Sequence, residues 1–511
     1  YLLLVIAFYM FLKQFKTTFI NHFLIHLHRD SGERKLLRKS VNSRQSSAVY
    51  FIKKITSMKL FDSKVYENRR KRLKEILGSG QVLIMGNNEA PMNYKANTYR
   101  FRQDSNFSYF FGINMAGLAG FIDIDSDQEI IFGHELTIDD IIWEGPVEPL
   151  SSLAEKVGVK TIKPLDELKN SIDKSTVKYL PIYRGEREIF LKETLGIKTE
   201  ASVDLIKAVV ALRSIKTEEE IAEMTTAVNI TRDMHIAAMK AAKPGKHEYE
   251  IVAQILNSVK NQNAELAYPV ILSVNGQTLH NHYHGNIMNS GQLLLNDSGA
   301  ETEMYYAGDI TRTFPVSGKF TQKQKDIYEI VLKMENDSIE ALKPGVKYRD
   351  IHLGANRILL EGLSNLGLIS GNIEDMLTQG VGGLFMPHGL GHAIGLDVHD
   401  MEDLGEQYVG YREGLERSTQ LGLKSLRLAK ELETGNVLTV EPGCYFIPEL
   451  IEKYKSEKVF AEFVNYDKLA EYYDFGGVRI EDNILITDNG FKVLGDLIPK
   501  TIEEVEAVME N

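Results

Sequence analysis

Cysteine is nearly missing from this chain: Cys444 is the only one in 511 residues. An intrachain disulfide is therefore excluded, and the chain suits a reducing, cytoplasmic compartment. Positive charge is in deficit as well. A formal net charge of −12 argues against a general nucleic-acid binder, which would present a basic face. Long hydrophobic runs are wanting at the start, where a membrane anchor would sit. The opening stretch Tyr1 to Leu12 falls short of the ~20 apolar residues that a spanning helix needs. A second patch, Phe19 to Leu27, is broken by His22 and His26. A secretory signal should begin basic and end at small residues, and this segment does neither. Repeats of solenoid period and long low-complexity tracts are absent too. What remains, 43% hydrophobic and 25% charged, is the composition of an ordinary globular protein with length for two or three domains.

Residues 1–57 carry ten Lys and Arg against two acids, which leaves the rest of the chain near −20. The expectation is that translation starts at Met58 and that residues 1–57 are an extension foreign to the native protein; a membrane anchor is the alternative. From Met58 the pattern is that of a folded domain. A charged helix is expected from Tyr66 to Leu77, then an apolar run Val82 to Met85, then a hairpin of Gly120 to Ile124 with Glu129 to Phe132. Helices and strands alternate through Val159 to Leu205, as in a mixed α/β domain. A boundary is expected near Ala211, giving domains 58–212 and 213–511. Just after it, Thr217-Glu218-Glu219-Glu220 forms a capping box for a long helix that should end before Pro244-Gly245.

Five acids and bases in the second domain stand in recognisable frames: Asn296-Asp297-Ser298-Gly299, Gly308-Asp309-Ile310-Thr311-Arg312, His388-Gly389-Leu390-Gly391-His392, Val440-Glu441-Pro442-Gly443 and Val478-Arg479-Ile480-Glu481-Asp482. Any one alone would be a surface or turn residue. Together, Asp297, Asp309, His392, Glu441 and Glu481 make a ligand set for two divalent cations. Oxygen-rich coordination suits a hard ion such as Mn²⁺ rather than structural Zn²⁺. Two such ions activate water and polarise a scissile carbonyl. His388 and His392 have the spacing of the HExxH zinc motif, but the glycines between them disfavour a helix and no Glu intervenes. Leu293 to Leu295 and Tyr305 to Phe314 read as a hairpin carrying Asp297 and Asp309. Val437 to Val440 and Val478 to Ile480 read as strands that each end in a glutamate. Cys444, three residues after Glu441, either lies near the metals or is a small buried residue. His22, His26, His28, His134, His235, His247 and His352 have no motif around them, whereas one of His280, His282 and His284 can face a substrate.

The run Tyr306 to Pro315, with His388 to His399, Glu441-Pro442-Gly443 and Gly477 to Asp482, resembles the proline-specific pita-bread metallopeptidases, aminopeptidase P and prolidase. In the first domain Phe101-Arg102-Gln103-Asp104-Ser105-Asn106-Phe107 resembles that family's N-terminal module. The resemblance spans roughly residues 58–511. It implies an α/β (α+β) architecture, a creatinase-like N-terminal domain followed by a pita-bread catalytic domain. It further implies that Asp309 and Glu481 bridge two metals, that Asp297 holds one of them, and that His392 and Glu441 hold the other. Glu441 would also shuttle a proton, His280, His388 and His399 would line the substrate side, and Arg479 would support the site. Substrates would be peptides with proline in second position, and the assembly a homodimer or homotetramer. Trp143 resembles a tryptophan that reaches a neighbouring subunit's site; core packing is its alternative. Asp297 and Asp309 are twelve positions apart, where that family has eleven. The extra residue is expected in the turn Ala300 to Met304, or as a bulge.

Both subfamilies cleave between an N-terminal residue and proline. A dipeptidase must also grip proline's free carboxylate, for which the arginine fork is suited. Residues 402–434 read as a polar insertion, and within it Gly422-Leu423-Lys424-Ser425-Leu426-Arg427 resembles the prolidase segment bearing such an arginine. The alternative for Arg427 is an exposed helix residue. A creatinase-like enzyme would lack the metal-binding acids, and a methionine aminopeptidase would lack the N-terminal domain. The non-enzyme alternative is an inactive pita-bread binding protein.

Overall fold

A computed structural model describes residues 58–145 and 148–510, so the expectation for residues 1–57 lies outside them. They fall into two compact units, one around Leu136–Glu148 and the other holding Lys59–Glu135 with Pro149 onward. In the smaller unit, Thr137 caps a short helix, Ile138–Glu144, through a capping box with Asp140. Among the described residues no helix is long and apolar enough to cross a membrane.

Within the larger unit, the N-terminal part is built on a five-stranded sheet. Its strand order is Thr161–Lys163, Gln128–Phe132, Ala119–Asp123, Gln81–Met85 and Lys178–Tyr179. The expected hairpin is present, with Phe121 paired to Ile130. Leu83, Phe121, Ile130 and Phe132 bury one face of the sheet against Leu168, Leu191 and Leu195. The charged helix, Ser63–Leu77, starts three residues earlier than its periodicity suggests because Asp62 accepts from Lys64 N and caps it there.

The C-terminal part is organised by two antiparallel hairpins whose registers decide which side chains meet. In the first, Leu293–Ser298 pairs with Ile310–Pro315, from Leu293 opposite Pro315 to Ser298 opposite Ile310, and the same register continues to Glu301 opposite Ala307. The ladder carries no bulge. The turn closes over Glu303, Met304 and Tyr305, with Tyr305 donating to Thr302 O and held at φ 68°. This is a three-residue loop ending in a left-handed residue. The strand expected from Tyr305 therefore begins only at Ile310. Because the register is unbroken and side chains alternate, Asp297, Asp309, Thr311 and Thr313 share one face. Leu294 and Phe314 lie on the other and join the main core.

The second hairpin behaves alike. Val437–Val440 pairs with Asp482–Thr487, and Gly443–Tyr445 pairs with Gly477–Arg479 in the same register. Glu441 and Glu481 are thus directly opposite each other at the step between the two ladders, with Arg479 two residues along on their face. Val440, Cys444, Val478 and Ile480 point the other way into the core. Long helices cover these apolar faces: Glu218–Ala241, begun by the expected capping box, then Glu248–Lys260, Gln322–Glu340 and Tyr348–Asn365.

Candidate metal centre and substrate cavity

The two hairpins meet face to face. Glu481 N donates to Thr311 O at 3.1 Å, Thr311 Oγ1 donates to Glu481 Oε2 at 2.7 Å, and Thr313 Oγ1 donates to Arg479 O at 3.0 Å. A third segment joins them. His388–His392 runs extended beside Val437–Val440, with Thr439 N donating to His392 O and Glu441 N to Leu390 O. The glycines in that segment are steric necessities. A Cβ on Gly391 would lie 2.1 Å from Thr439 O, and one on Gly389 would lie 2.8 Å from Leu426 Cα.

Asp309, His392 and Glu481 come within 4.8 Å of one another through their ligand atoms and are all buried. His392 Nε2 lies 3.4 Å from Asp309 Oδ2 and 3.6 Å from Glu441 Oε1. Its Nδ1 is 3.1 Å from Ala393 O, so Nδ1 carries a proton and Nε2 is turned to the carboxylates. Asp297 Oδ2 receives Arg479 Nη2 at 2.5 Å. Tyr268 places its hydroxyl between Asp297 Oδ1, at 2.6 Å, and Asp309 Oδ1. All five expected ligand residues line one cavity of about 800 Å³.

The donor set is short of positive charge. Like charges opposite each other on paired strands repel, and Glu441 faces Glu481. Burial, joined by the fields of Asp309, Glu441 and Asp297, pushes the Glu481 carboxyl well up. Burial likewise lifts Glu441 to about 7 against the pull of His392 and Arg479, and it lifts Asp297 despite Arg479. Burial raises Asp309 too, but hydrogen bonding from His392 overrides it and the net direction is down. Glu481 Oε1 is buried with no hydrogen-bond partner. A buried, unpaired carboxylate oxygen in a cluster of four acids is what a divalent cation would satisfy, so the residues fit metal ions.

His280, His282, His388, His399 and Arg427 line the same cavity. His388 Nε2 lies 2.9 Å from the Tyr445 hydroxyl, which takes Arg479 Nη1 at 2.8 Å. Burial, with Arg479 nearby, pushes His388 down to about 3. The His399 ring stands against that of His392, centroids 4.4 Å apart, while its Nδ1 bonds Glu402 Oε2 at 2.7 Å. His284 turns away to Leu272 O, and buried His235 supports the Asp297 strand from behind through Ser298 O and Asn296. Cys444 is buried on the core side of its strand, so the alternative of a small packed residue is the one realised. Arg427 is not a helix residue: it follows a single turn, Leu423–Ser425. Trp143 is 86% exposed, which removes core packing as its role.

Two contributors carry no signal in the sequence. Tyr268, in Ala267-Tyr268-Pro269, has no periodic or motif signal, and neither does Glu402, whereas Tyr445 opens the run Tyr445-Phe446-Ile447, which resembles prolidase. The loop that carries His399 is held by Ser105 of the N-terminal part and by Arg213 and Lys216 at the start of the C-terminal part. Ser105 donates to Asp397 at 2.6 Å, while Arg213 and Lys216 reach Asp400 at 2.6 and 2.8 Å. Arg102 lies within the quoted N-terminal frame and bonds Glu301 at 3.0 Å.

A geometry this specific can be set beside known proteins. Residues 222–488 match the model of metallopeptidase family M24, and residues 66–181 match that of the aminopeptidase P N-terminal domain. A human Xaa-Pro dipeptidase is 34% identical over 86% of this chain and 91% of its own length. A probable Xaa-Pro aminopeptidase of Fusarium vanettenii is 35% identical over 80% of this chain and 88% of its own. The structure of E. coli aminopeptidase P with the inhibitor Pro-Leu is 29% identical, covers 88% of this chain and 99% of that one, and superposes with a TM-score of 0.72. With two family models in the expected order and relatives matched along nearly their whole length, the chain belongs to the M24 pita-bread metallopeptidases that carry an aminopeptidase P-type N-terminal domain.

Proposed function

We propose that the protein is a dinuclear-metal exopeptidase that hydrolyses the bond between an N-terminal residue and proline, dipeptides included. The observation that carries this reading is the convergence of Asp297, Asp309, His392, Glu441 and Glu481 on one cavity, with an orphaned carboxylate oxygen among them. These five would hold two divalent ions, Mn²⁺ by the hardness of their oxygens. When bound, the ions supply an activated water and a polarised carbonyl. Glu441, more open to the cavity than its neighbours, would shuttle a proton to the leaving proline nitrogen. Arg479 keeps Asp297 ionised and orients Tyr445, which in turn fixes the His388 ring. His399, its Nδ1 committed to Glu402, presents Nε2 to the substrate, and His280 stands at the same wall. Arg427, whose side chain is 32% exposed, would meet a free proline carboxylate, a role that favours dipeptides.

In the same reading the domains divide at 58–212 and 213–511, the compartment is cytoplasmic, and the assembly is a homodimer or homotetramer. An exposed Trp143 suits a contact with a second subunit. The test is hydrolysis of Ala-Pro beside Ala-Pro-Ala by chelator-stripped protein, with and without added Mn²⁺. Metal-dependent cleavage of either supports the proposal, and cleavage of Ala-Pro alone assigns a dipeptidase. No cleavage of either returns the binding-protein alternative.

A further inference from the structure

Arg427 and His399 are tied together by one side chain. Glu402 Oε2 takes His399 Nδ1 at 2.7 Å, and Glu402 Oε1 takes Arg427 Nη1 at 2.9 Å. The same Nη1 also meets Glu406 Oε1 at 2.7 Å. Guanidinium carries five N–H donors, and only Nη1 is engaged with these carboxylates. The edge formed by Nε and Nη2 is left for a planar, bidentate acceptor, while the guanidinium is held from behind. His399 and Arg427 both line the substrate cavity. Glu402 follows His399 by one turn, Glu402–Leu404, introduced by Met401 at φ 61°. This left-handed kink sends the chain back toward its own histidine.

Resting on the exopeptidase reading, we infer that Glu402 is a positioning and specificity residue: its carboxylate holds Arg427 ready for the substrate's free carboxylate and simultaneously sets the tautomer and tilt of His399. Recognition of the far end of a dipeptide is thereby coupled to the orientation of the imidazole at the reacting end. A substrate carboxylate that draws Arg427 forward relaxes its hold on Glu402 Oε1, and Glu402 then serves His399 alone. An amide or a longer peptide at that end leaves Arg427 on its two glutamates.

The coupling is read by comparing Ala-Pro with Ala-Pro-amide on the Mn²⁺-loaded full chain, in wild type, Glu402→Ala and Glu402→Gln. Wild type should prefer the acid. Glu402→Ala should lower that preference by about ten-fold, mainly through KM for the acid, and should lower kcat on both substrates. Glu402→Gln keeps an acceptor for His399 but turns an N–H donor toward Arg427. It should recover kcat while leaving the preference lost. Equal changes on both substrates, with the preference intact in both variants, would mean that Glu402 merely braces the loop. Should wild type hydrolyse neither compound, the exopeptidase reading fails on its own. Calorimetric titration of the same proteins with the two compounds then reads the coupling separately, and equal affinity of wild type for acid and amide overturns it.

Discussion

The floor and the rim of the cavity are made from the same kinds of charged side chain but are held in opposite ways. On the floor, Asp297, Asp309, Glu441 and Glu481 sit on hairpins whose unbroken registers put each carboxylate on a chosen face, backed by an apolar core. At the rim, His399, Glu402 and Arg427 sit on turns and Glu406 opens a four-residue helix, Glu406–Val409, and their charged groups are tied to one another by side-chain ion pairs. A register cannot slip by one residue without turning a whole face over, so the floor is fixed by the backbone. The rim is fixed by ion pairs in partial contact with water, and these are worth less individually. On the proposed reading, the ligand cluster is the rigid end of the cavity and the specificity end is the adjustable one.

Removing a ligand should produce the largest effect. Asp309→Ala and Glu481→Ala should each lower kcat/KM on Ala-Pro by at least roughly 10³-fold, ~4 kcal/mol of transition-state stabilisation. Neither variant should retain Mn²⁺ after gel filtration, measured by atomic absorption. Full activity in either would end the assignment of the floor. Next comes the ion pair beneath it. Arg479 is buried and bonds Asp297, Thr311 and Tyr445. In metal-stripped protein Arg479→Met leaves Asp297 a buried charge without its cation, and should cost about 3–5 kcal/mol by urea denaturation. A loss below ~1 kcal/mol would show that the floor is not held by this pair.

What could be read in advance follows the same division. The floor was legible because strand alternation and short motifs are local: Gly308-Asp309-Ile310-Thr311 or Val440-Glu441-Pro442 announces its residue without knowledge of the fold. Even the twelve-residue spacing of Asp297 and Asp309 resolves into a three-residue turn that leaves both on one face. Tyr268 was not legible, because its role depends on two aspartates that are 29 and 41 residues away. Glu402 was passed over as one more acid in a polar segment. Only the fold shows that its two oxygens point at residues from different turns. Asp397, braced by Ser105 from nearly three hundred residues earlier, is another product of tertiary structure.

A medium effect separates the groups by the sign of their titration. Burial lowers His235 and His388 to about 3, and His352 and His399 to about 4. Each binds a proton in the unfolded chain below its ordinary 6.5 while remaining neutral when folded. Their stabilisation is present above 6.5 and is lost as pH falls toward 4. Glu441 works the other way: its folded carboxyl is raised from 4.5 to about 7, so the folded state gains a proton across that window. Between pH 6.5 and 4, Glu441→Gln should therefore make the stability of metal-stripped protein decline more steeply, or rise less, with falling pH than wild type shows. A shallower slope in that variant would contradict the raised carboxyl.

The smallest effect belongs to the rim's outer ion pair and completes the contrast with Arg479. Arg417 contacts Glu406, but its side chain is 46% exposed. Water already solvates that guanidinium, and ordering two long side chains offsets much of the attraction. Arg417→Ala should cost under ~1 kcal/mol in urea denaturation, and raising the salt concentration should shrink even that difference. The effect of the same substitution class at Arg479 should be less sensitive to salt, because that side chain is buried. If Arg417→Ala destabilised the protein as much as Arg479→Met, the rim would be as rigidly held as the floor. The adjustable end of the cavity would then have to be sought elsewhere than in Glu402, Glu406 and Arg427.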